Sequence, residues 1–252
     1  MRPTVSLVIP CYNASKHITE TIIQADRILR ENSVRYEIII AEDGSTDGTT
    51  EIVREIATKH PHVYHNHKKH RQGKGKALEN AFNEAKGQIL IFMDADSSIS
   101  PSNLPEIINK VKQGYDICTG IRKHEQRKLS RRITSLIFNS IARRLLETRN
   151  TDHQCGFKAF KAEIIKDLMG DTRETGWLWD AEILMLAQQK RYTIHELPVN
   201  WKPCKETSIN LLVDPLKMLI GLYRLRKNHE KRAKEKLIKT KERKCSTPVK
   251  RV

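Results

Sequence analysis

Residues 91–98 read IFMDADSS, so that an apolar run leads directly into two aspartates separated by one alanine. A short continuous apolar run of this kind predicts a strand that is buried on both faces of a sheet. Asp94 and Asp96 would then lie together at the end of the strand, where their like charges repel each other. We therefore expect a positive group beside them.

Three further apolar runs predict strands of the same buried kind: VSLVI (5–9), EIIIA (37–41) and YDICTG (115–120). Apolar residues at helical spacing lie between these runs, around residues 52–57, 77–85 and 104–111. Alternation of strands and helices predicts an α/β fold with a mostly parallel sheet and helices on both of its faces. Ligands of such sheets bind at the carboxyl ends of the strands.

The pattern changes after residue 120. Residues 121–150 are strongly basic and favour a helix, and TDHQCGFKAF (151–160) is typical of a loop that leads into a short strand. GWLWDAEILMLAQQKR (176–191) predicts a helix, and YTIHELPVNW (192–201) predicts a strand that ends at Pro198.

The last part of the chain combines an apolar helix with a basic tail. Asp214 and Pro215 are typical of a helix start, and apolar residues continue to Leu225. Residues 224–252 contain thirteen Lys or Arg and three Glu, which gives +10 of the net charge of +16. Such a tail favours an anionic partner, either a membrane surface or a nucleic acid, and a solvated tail is the alternative.

The composition excludes several classes of protein. With 252 residues, 38% of them hydrophobic, the chain is long enough to bury the core of one α/β domain. The sequence contains no apolar run of about 18 residues, so we expect no membrane-spanning helix. The N-terminus enters a strand at once, so we expect no signal peptide. Five scattered cysteines without a C-x-x-C pair favour reduced thiols and a cytoplasmic location.

Polar residues follow three of the predicted strands, as PCYN (10–13), EDGS (42–45) and DAD (94–96). Together they predict an acidic crevice at one edge of the sheet. Oxygen ligands without His or Cys suit a hard dication, Mg²⁺ or Mn²⁺, which commonly binds substrate phosphates as well. In the alternative interpretation, Asp94 and Asp96 only cap the next helix.

A glycine–lysine segment, QGKGK (72–76), precedes a predicted helix. Glycines allow close approach of the backbone and lysines supply charge, so the segment suits a phosphate, although its spacing is not that of the Walker A nucleotide-binding motif. A mobile surface loop is the alternative. We expect the nearby His65, His67 and His70 to lie on the surface of this loop.

In combination, these motifs resemble glycosyltransferase family 2, whose fold is called GT-A. The resemblance covers roughly residues 4–205 and rests on VSLVIPCYNASKHI, YEIIIAEDGSTDGT, GKGKALENAF, ILIFMDADSS and QCGFKAF. The order of TDHQCGFKAF, WDAEIL and ELPVNW is most similar to the dolichyl-phosphate glucosyltransferases and dolichyl-phosphate mannose synthases. We therefore expect a GT-A domain over residues 1–205 and a membrane-associating appendage over residues 206–252.

The resemblance implies a site for the nucleotide-sugar donor. Base and ribose would be bound by residues that match the family pattern, and Lys74 would lie near the diphosphate. The metal would be held by Asp94 and Asp96, which bridge it to the diphosphate and the sugar. The expected donor-binding residues are Pro10, Tyr12, Asn13, Glu42, Asp43, Lys74, Asp94 and Asp96. Glu42 departs from the aspartate that is usual in the family, which puts the fine fit of the donor in doubt.

The resemblance also implies a site for an acceptor phosphate. Arg122 and Arg131 would hold this phosphate, and Arg132 is the alternative to Arg131. Gln154 would face the active site. In the alternative, these arginines face water or pair with acidic residues of the crevice. Asp180 stands where many members of the family carry a general base, so it is a catalytic candidate together with Asp94 and Asp96. Asp152 is a further candidate for the site.

The leading hypothesis is therefore inverting transfer of a hexose from a nucleotide sugar to dolichyl or another polyprenyl phosphate. UDP-glucose is the favoured donor and GDP-mannose the next. The helix from Pro215 and the basic tail would bind the cytoplasmic face of a membrane peripherally, unless that helix packs against the catalytic domain.

Two other hypotheses stay open: a soluble hydroxyl acceptor, for which Asp180 would be indispensable, and a nucleic-acid-binding protein that uses the basic tail. The basic residues are not grouped around an aromatic platform, so we expect no nucleic-acid partner. The sequence leaves the oligomeric state open.

Overall fold

The computed structural model describes residues 2–122, 129–202 and 219–231, and within residues 129–135 it describes the backbone alone. The strands are β1 (Val5–Cys11), β2 (Tyr36–Asp43), β3 (Val63–Lys68), β4 (Ile89–Met93), β5 (Ile117–Arg122), β6 (Phe157–Lys161) and β7 (Ile194–Val199). The helices are α1 (Ile18–Glu31), α2 (Thr49–Lys59), α3 (Lys74–Glu84), α4 (Leu104–Lys112), α5 (Leu129–Leu146), α6 (Ala162–Asp171), α7 (Trp179–Gln189) and α8 (residues 219–231). A 3₁₀ turn, Pro101–Asn103, precedes α4.

The seven strands form one sheet in the order β3-β2-β1-β4-β6-β5-β7. All neighbouring strands are parallel except β6, which is antiparallel to both β4 and β5. The predicted α/β fold with a mostly parallel sheet is confirmed. Because β6 runs against β4, the residues that precede β6 lie beside those that follow β4.

Helices cover both faces of the sheet and enclose two apolar clusters. Residues of α1, α2 and α4 pack on one face, and residues of α3, α5, α6, α7 and α8 pack on the other. Each inner strand contributes to both clusters, because successive side chains of a strand point to opposite faces. This two-sided burial is the reason that β1, β2 and β4 are almost continuously apolar in sequence.

The structure bears out most of the predicted elements. The four apolar runs form β1, β2, β4 and β5, the later strands appear as β6 and β7, and the helical patterns form α2, α3, α4, α5 and α7. One interpretation is wrong: His65 and His67 lie on an edge strand, β3, and not on a loop surface. Helices α1 and α6 were not predicted.

Helix α8 packs on the rest of the fold along one side. Leu222 and Leu225 are buried in the cluster that contains α7, whereas Ile220 and Tyr223 are exposed. The expected helix start at Asp214 and Pro215, and the tail from residue 232 onward, lie outside the described residues. Among the described helices, none combines the length and the apolar character that crossing a membrane requires.

Candidate active site

The carboxyl end of β4 lies against the loop that precedes β6. The N–H of Asp94 donates a hydrogen bond to the carbonyl of Gly156 at 2.9 Å. A Cβ atom added to Gly156 would lie 1.7 Å from Oδ2 of Asp94, far inside contact distance. The glycine of the QCGFK motif therefore leaves the space that the first aspartate of the D-x-D pair occupies.

A buried lysine–carboxylate network lies behind Asp94. Nζ of Lys74 lies 2.9 Å from Oδ1 of Asp94 and 3.1 Å from Oδ2 of Asp180. The other oxygen of Asp180, Oδ1, accepts a hydrogen bond from Nζ of Lys158 at 2.8 Å. Lys158 also donates to the carbonyls of Cys155 and His153, at 2.6 and 3.3 Å. Asp180 thus joins two lysines, one of which reaches the D-x-D aspartate.

The charges of this network lower the pKa of Asp180 and raise the pKa of Lys74. Burial by itself would raise the pKa of Asp180, but Lys158 and Lys74 hold that pKa below the ordinary aspartate value. Burial would lower the pKa of Lys74, yet Asp180 and Asp94 raise it above the ordinary lysine value. Asp180 is therefore a carboxylate that binds a proton weakly, the opposite of a base tuned to accept one near neutral pH.

Asp94 and Asp96 have different surroundings. Burial raises the pKa of Asp94, and the charges of Asp96 and Asp180 raise it further, against the opposing effect of Lys74. Asp96 is exposed, and its Oδ1 accepts the N–H of Ser98 at 3.0 Å. The mutual repulsion of the two carboxylates is what a bound dication relieves, and their oxygens are ligands that Mg²⁺ and Mn²⁺ prefer. The residues present therefore fit the metal.

The helix-cap interpretation of the D-x-D pair is wrong. The 3₁₀ turn that follows is capped by Ser100, whose side chain accepts the N–H of Ser102 at 3.3 Å. Asp96 instead stabilises the turn at Ser98, two residues ahead of this cap.

The glycine–lysine segment is held on two sides. Both carboxylate oxygens of Asp43 accept backbone N–H groups, from Gln72 at 2.7 Å and from Gly73 at 2.8 Å. Gly73 has a φ of 103°, and a Cβ there would lie 2.5 Å from the carbonyl oxygen of Thr175. The segment is thus fixed between β2 and the residues before α7, so that Lys74 is directed into the site rather than into solvent.

The loops after β1 and β2 are joined at the expected donor site. Asn13, with a φ of 51°, donates its N–H to Oγ of Ser45 at 3.0 Å, and its Oδ1 accepts the N–H of Thr46 at 2.9 Å. The ring of Tyr12 lies under the guanidinium of Arg71, 4.0 Å from the ring centroid. Pro10 is half-buried within β1. An aromatic ring, a guanidinium and two polar loops can bind a base and ribose, the role predicted for Pro10, Tyr12 and Asn13.

Glu42 is joined to these loops through Ser45. It is fully buried, its Oε1 accepts the N–H of Ser45 at 2.5 Å, and its Oε2 contacts Nδ1 of His67. Burial would raise the pKa of Glu42, but the hydrogen bonds from Ser45 and His67 hold it below the ordinary value. The predicted donor role of Glu42 stays a prediction.

On the predicted acceptor side, Arg122 forms a bidentate pair with Asp152. Its Nε and Nη2 donate to the two carboxylate oxygens at 2.6 Å each. Arg122 is therefore paired with an acidic residue, as in the alternative that the sequence left open. Gln154 lies in the same loop, and its N–H donates to Oδ1 of Asp152 at 3.3 Å. The backbones of Arg131 and Arg132 lie on α5, and their side chains lie outside the described residues.

Two residues of this network were missed in the sequence. Gly156 and Lys158 both belong to QCGFKAF, but neither was assigned a role. The available signal was Lys158, a lysine between the apolar residues Phe157 and Ala159, since a fully buried charge requires a partner. The identity of that partner, Asp180, is a long-range contact that no local pattern contains.

Comparison with known proteins supports the same assignment. The model of the family described as Glycosyl transferase family 2 matches residues 6–169. The glycosyltransferase AglD of Haloferax volcanii is 36% identical over 221 residues, which is 85% of this chain and 35% of that protein. The dolichyl-phosphate beta-glucosyltransferase ALG5C of Trichomonas vaginalis is 30% identical over 87% of this chain and 70% of its own length. This chain thus spans about a third of the first relative and most of the second.

The fold is also that of a solved structure. Glucosyl-3-phosphoglycerate synthase from Mycobacterium tuberculosis, in complex with Mn²⁺, UDP and phosphoglyceric acid, superposes with a TM-score of 0.69. The superposition covers 89% of this chain and 78% of the synthase, at 21% identity. Together with the matched family model, the fold and the two relatives show that this chain is a member of glycosyl transferase family 2.

Proposed function

We propose that this chain is a metal-dependent inverting glycosyltransferase that moves a hexose from a nucleotide sugar to dolichyl or another polyprenyl phosphate. UDP-glucose is the favoured donor, with GDP-mannose the next. The dolichyl-phosphate beta-glucosyltransferase name of the Trichomonas relative supports both the acceptor and the sugar. UDP in the structural relative supports the nucleotide.

The observation that carries the proposal is the position of Asp180 between Lys74 and Lys158. A hydroxyl acceptor must lose its proton during transfer, so an enzyme that uses one needs a general base. A phosphate acceptor is already an anionic nucleophile and needs none. An Asp180 carboxylate that is buried and paired with two ammonium groups suits the second chemistry, because its pKa is held low.

In this mechanism Asp94 and Asp96 would hold Mg²⁺ or Mn²⁺, which would supply positive charge to the diphosphate leaving group. Pro10, Tyr12, Asn13 and Asp43 bind the nucleotide.

Lys74 lies between the metal ligand Asp94 and the positioning residue Asp180, and its Nζ adds charge near the diphosphate. Arg122, Arg131 and Gln154 orient the acceptor phosphate in line with the anomeric carbon.

The test is transfer of labelled sugar in parallel reactions with UDP-glucose and GDP-mannose, Mn²⁺ and short-chain polyprenyl phosphate in detergent. We expect label from one donor to enter the organic phase, and Asp96→Asn to abolish this transfer. Glu55→Gln is the matched control, because Glu55 is an exposed carboxylate of α2 that is paired only within its own helix. Transfer that survives Asp96→Asn would refute the metal site, and transfer only to water-soluble acceptors would refute the lipid acceptor.

We also propose peripheral binding to the cytoplasmic face of a membrane. Exposed Ile220 and Tyr223 on α8, followed by the basic tail, could insert into the interface and meet anionic headgroups. We expect sedimentation with anionic vesicles that weakens at high salt, and a further loss in the Ile220→Ser, Tyr223→Ser double variant. Binding to neutral and anionic vesicles alike, unchanged by salt, would contradict this part of the proposal.

A further inference from the structure

Glu42, a predicted donor residue, forms a cluster with His65 and His67, to which the proposed reaction assigns no role. Oε2 of Glu42 contacts Nδ1 of His67 and lies 4.0 Å from Nε2 of His65. One potential ligand atom from each of the three residues lies within 4.8 Å of the others. The cluster is built by strand pairing, because Glu42 on β2 lies opposite His67 on β3, and His65 is two residues earlier on the same face.

This cluster lies on the face of the sheet opposite to the D-x-D site. Glu42 and the adjacent Asp43 point in opposite directions along β2, and Asp43 faces the glycine–lysine segment. Strands β2 and β4 are separated by β1, so the two sites are two strand spacings apart, on the order of 10 Å. A ligand of the cluster would therefore not compete directly with the donor metal.

The ligand types of the two sites also differ. The D-x-D pair offers carboxylate oxygens, which suit Mg²⁺ and Mn²⁺, whereas two imidazoles and one carboxylate suit zinc and its neighbours among the transition metals. Three protein ligands leave a further position for water, and His67 is exposed enough to admit it. Ligand atoms of a tetrahedral zinc site lie about 3.3 Å apart, given bonds of about 2.0 Å. Small side-chain rotations would bring the three residues to that spacing.

An unpartnered nitrogen points to a missing ligand. Among the residues that the structure describes, Nε2 of His65 is shut off from solvent and has no hydrogen-bond partner. A buried polar atom without a partner is costly, and most such atoms in proteins are satisfied. Oε2 of Glu42, 4.0 Å away, is too distant for a hydrogen bond but suitably placed to share a metal ion.

We infer that Glu42, His65 and His67 form a second cation site, one that binds a transition-metal dication of the zinc class and joins β2 to the edge strand β3. The inference is independent of the transfer reaction proposed above. It concerns a site that stabilises the fold next to Asp43, the residue that holds the glycine–lysine segment.

The test uses the full chain after removal of metals by chelation, with Zn²⁺ titrated calorimetrically in the presence of excess Mg²⁺, which fills the oxygen site. We expect one strong Zn²⁺ site, and visible absorption bands when Co²⁺ replaces zinc. His67→Asn is the informative variant, because its amide can keep a hydrogen bond to Glu42 but is a poor ligand for zinc. It should weaken Zn²⁺ binding by at least about tenfold and abolish the rise in melting temperature that Zn²⁺ produces.

Two controls make the test specific. The Asp94→Asn, Asp96→Asn double variant should keep the Zn²⁺ site, and so should His195→Ala, which removes a histidine from β7 at the opposite edge of the sheet. The inference is overturned if the wild-type chain does not bind Zn²⁺, if binding survives His67→Asn, or if it disappears with the two aspartates. Circular dichroism of each variant distinguishes loss of the site from loss of the fold.

Discussion

At the scale of single residues, the site depends most sharply on Gly156, because this residue has no Cβ atom. Its missing Cβ is the space in which Oδ2 of Asp94 lies. We expect Gly156→Ala to displace that carboxylate and lower kcat/KM for sugar transfer by about 100-fold or more, the cost of a displacement of roughly 1 Å. Gly170→Ala in α6 is the matched control, since a Cβ there meets nothing within 4 Å. Equal activity of the two variants would contradict the geometry described for Asp94.

Asp180 gives the second prediction at this scale. Asp180→Asn leaves the buried ammonium of Lys158 without its charged partner, so we expect the free energy of unfolding to fall by about 3–5 kcal/mol. Adding Lys158→Met should recover most of this loss, because it removes the unpaired charge. Urea denaturation measures both effects.

The same variants distinguish positioning from base catalysis. If Asp180 only positions Lys74, the folded Asp180→Asn, Lys158→Met double variant should retain the acidic limb of the pH–rate profile for sugar transfer. A missing base typically lowers kcat by about 10²- to 10⁴-fold. Such a loss, together with loss of the acidic limb, would identify Asp180 as the base and favour a hydroxyl acceptor.

At the scale of elements, α7 joins the site to the rest of the molecule. Nine of its eleven residues are buried, including Asp180 and Glu182. Oε2 of Glu182 accepts the N–H groups of Arg173 and Glu174, at 2.9 and 2.8 Å, and its Oε1 lies 2.7 Å from Nε2 of His229 on α8. Helix α8 is thus attached to the same helix that supplies Asp180, so that this part of the appendage is packed on the catalytic domain.

The loop between α5 and β6 carries a pH-sensitive contact. His153 is fully buried, with Nε2 2.6 Å from Oγ1 of Thr148 and Nδ1 3.2 Å from Oδ1 of Asn139. Burial and the charge of Lys158 lower the pKa of His153 from 6.5 to about 4. Between these two values the unfolded chain binds a proton that the folded chain does not, so stability is complete above the unfolded pKa and is lost as the pH falls.

We expect His153 to contribute a loss of roughly 3 kcal/mol in the free energy of unfolding as the pH falls through this window. The measurement is urea denaturation at about pH 7 and about pH 4.5, with His153→Gln as the comparison. The variant should lose less stability between the two pH values than the wild-type chain. An identical loss in both would show that His153 remains ionisable in the fold.

The elements also show what the sequence can and cannot predict. Strand β4 and the D-x-D aspartates were predictable because a run buried on both faces is continuously apolar. Strand β3 was not, since VYHNHK lies at the edge and alternates exposed and half-buried residues with only two that are fully buried. The direction of β6 was equally hidden, because the pattern FKAFK is the same in a parallel and an antiparallel strand.

At the scale of the whole molecule, the family follows from motif order, but the argument for the acceptor depends on contacts between distant segments. Lys74, Asp94, Lys158 and Asp180 come from four different elements, and their pairing exists only in the folded chain. The sequence indicated Asp180 as a base candidate by its place in the family pattern. Its two lysine partners, which weaken it as a base, are a tertiary property.

The distribution of charge belongs to this scale as well. The chain carries +16, of which residues 224–252 contribute +10. This concentration of positive charge suits the anionic lipid acceptor that we propose, since both the acceptor and the surrounding membrane surface are negative.

The measurement that tests the central claim most directly compares two lipid acceptors that differ only in the phosphate. Labelled UDP-glucose and Mn²⁺ are supplied with a short polyprenyl phosphate or with the matching polyprenol, under identical detergent conditions. We expect transfer to the polyprenyl phosphate alone, because Asp180, buried and paired with two lysines, is a poor base for the polyprenol hydroxyl. Comparable transfer to the polyprenol would contradict it, and would return Asp180 to the role of general base.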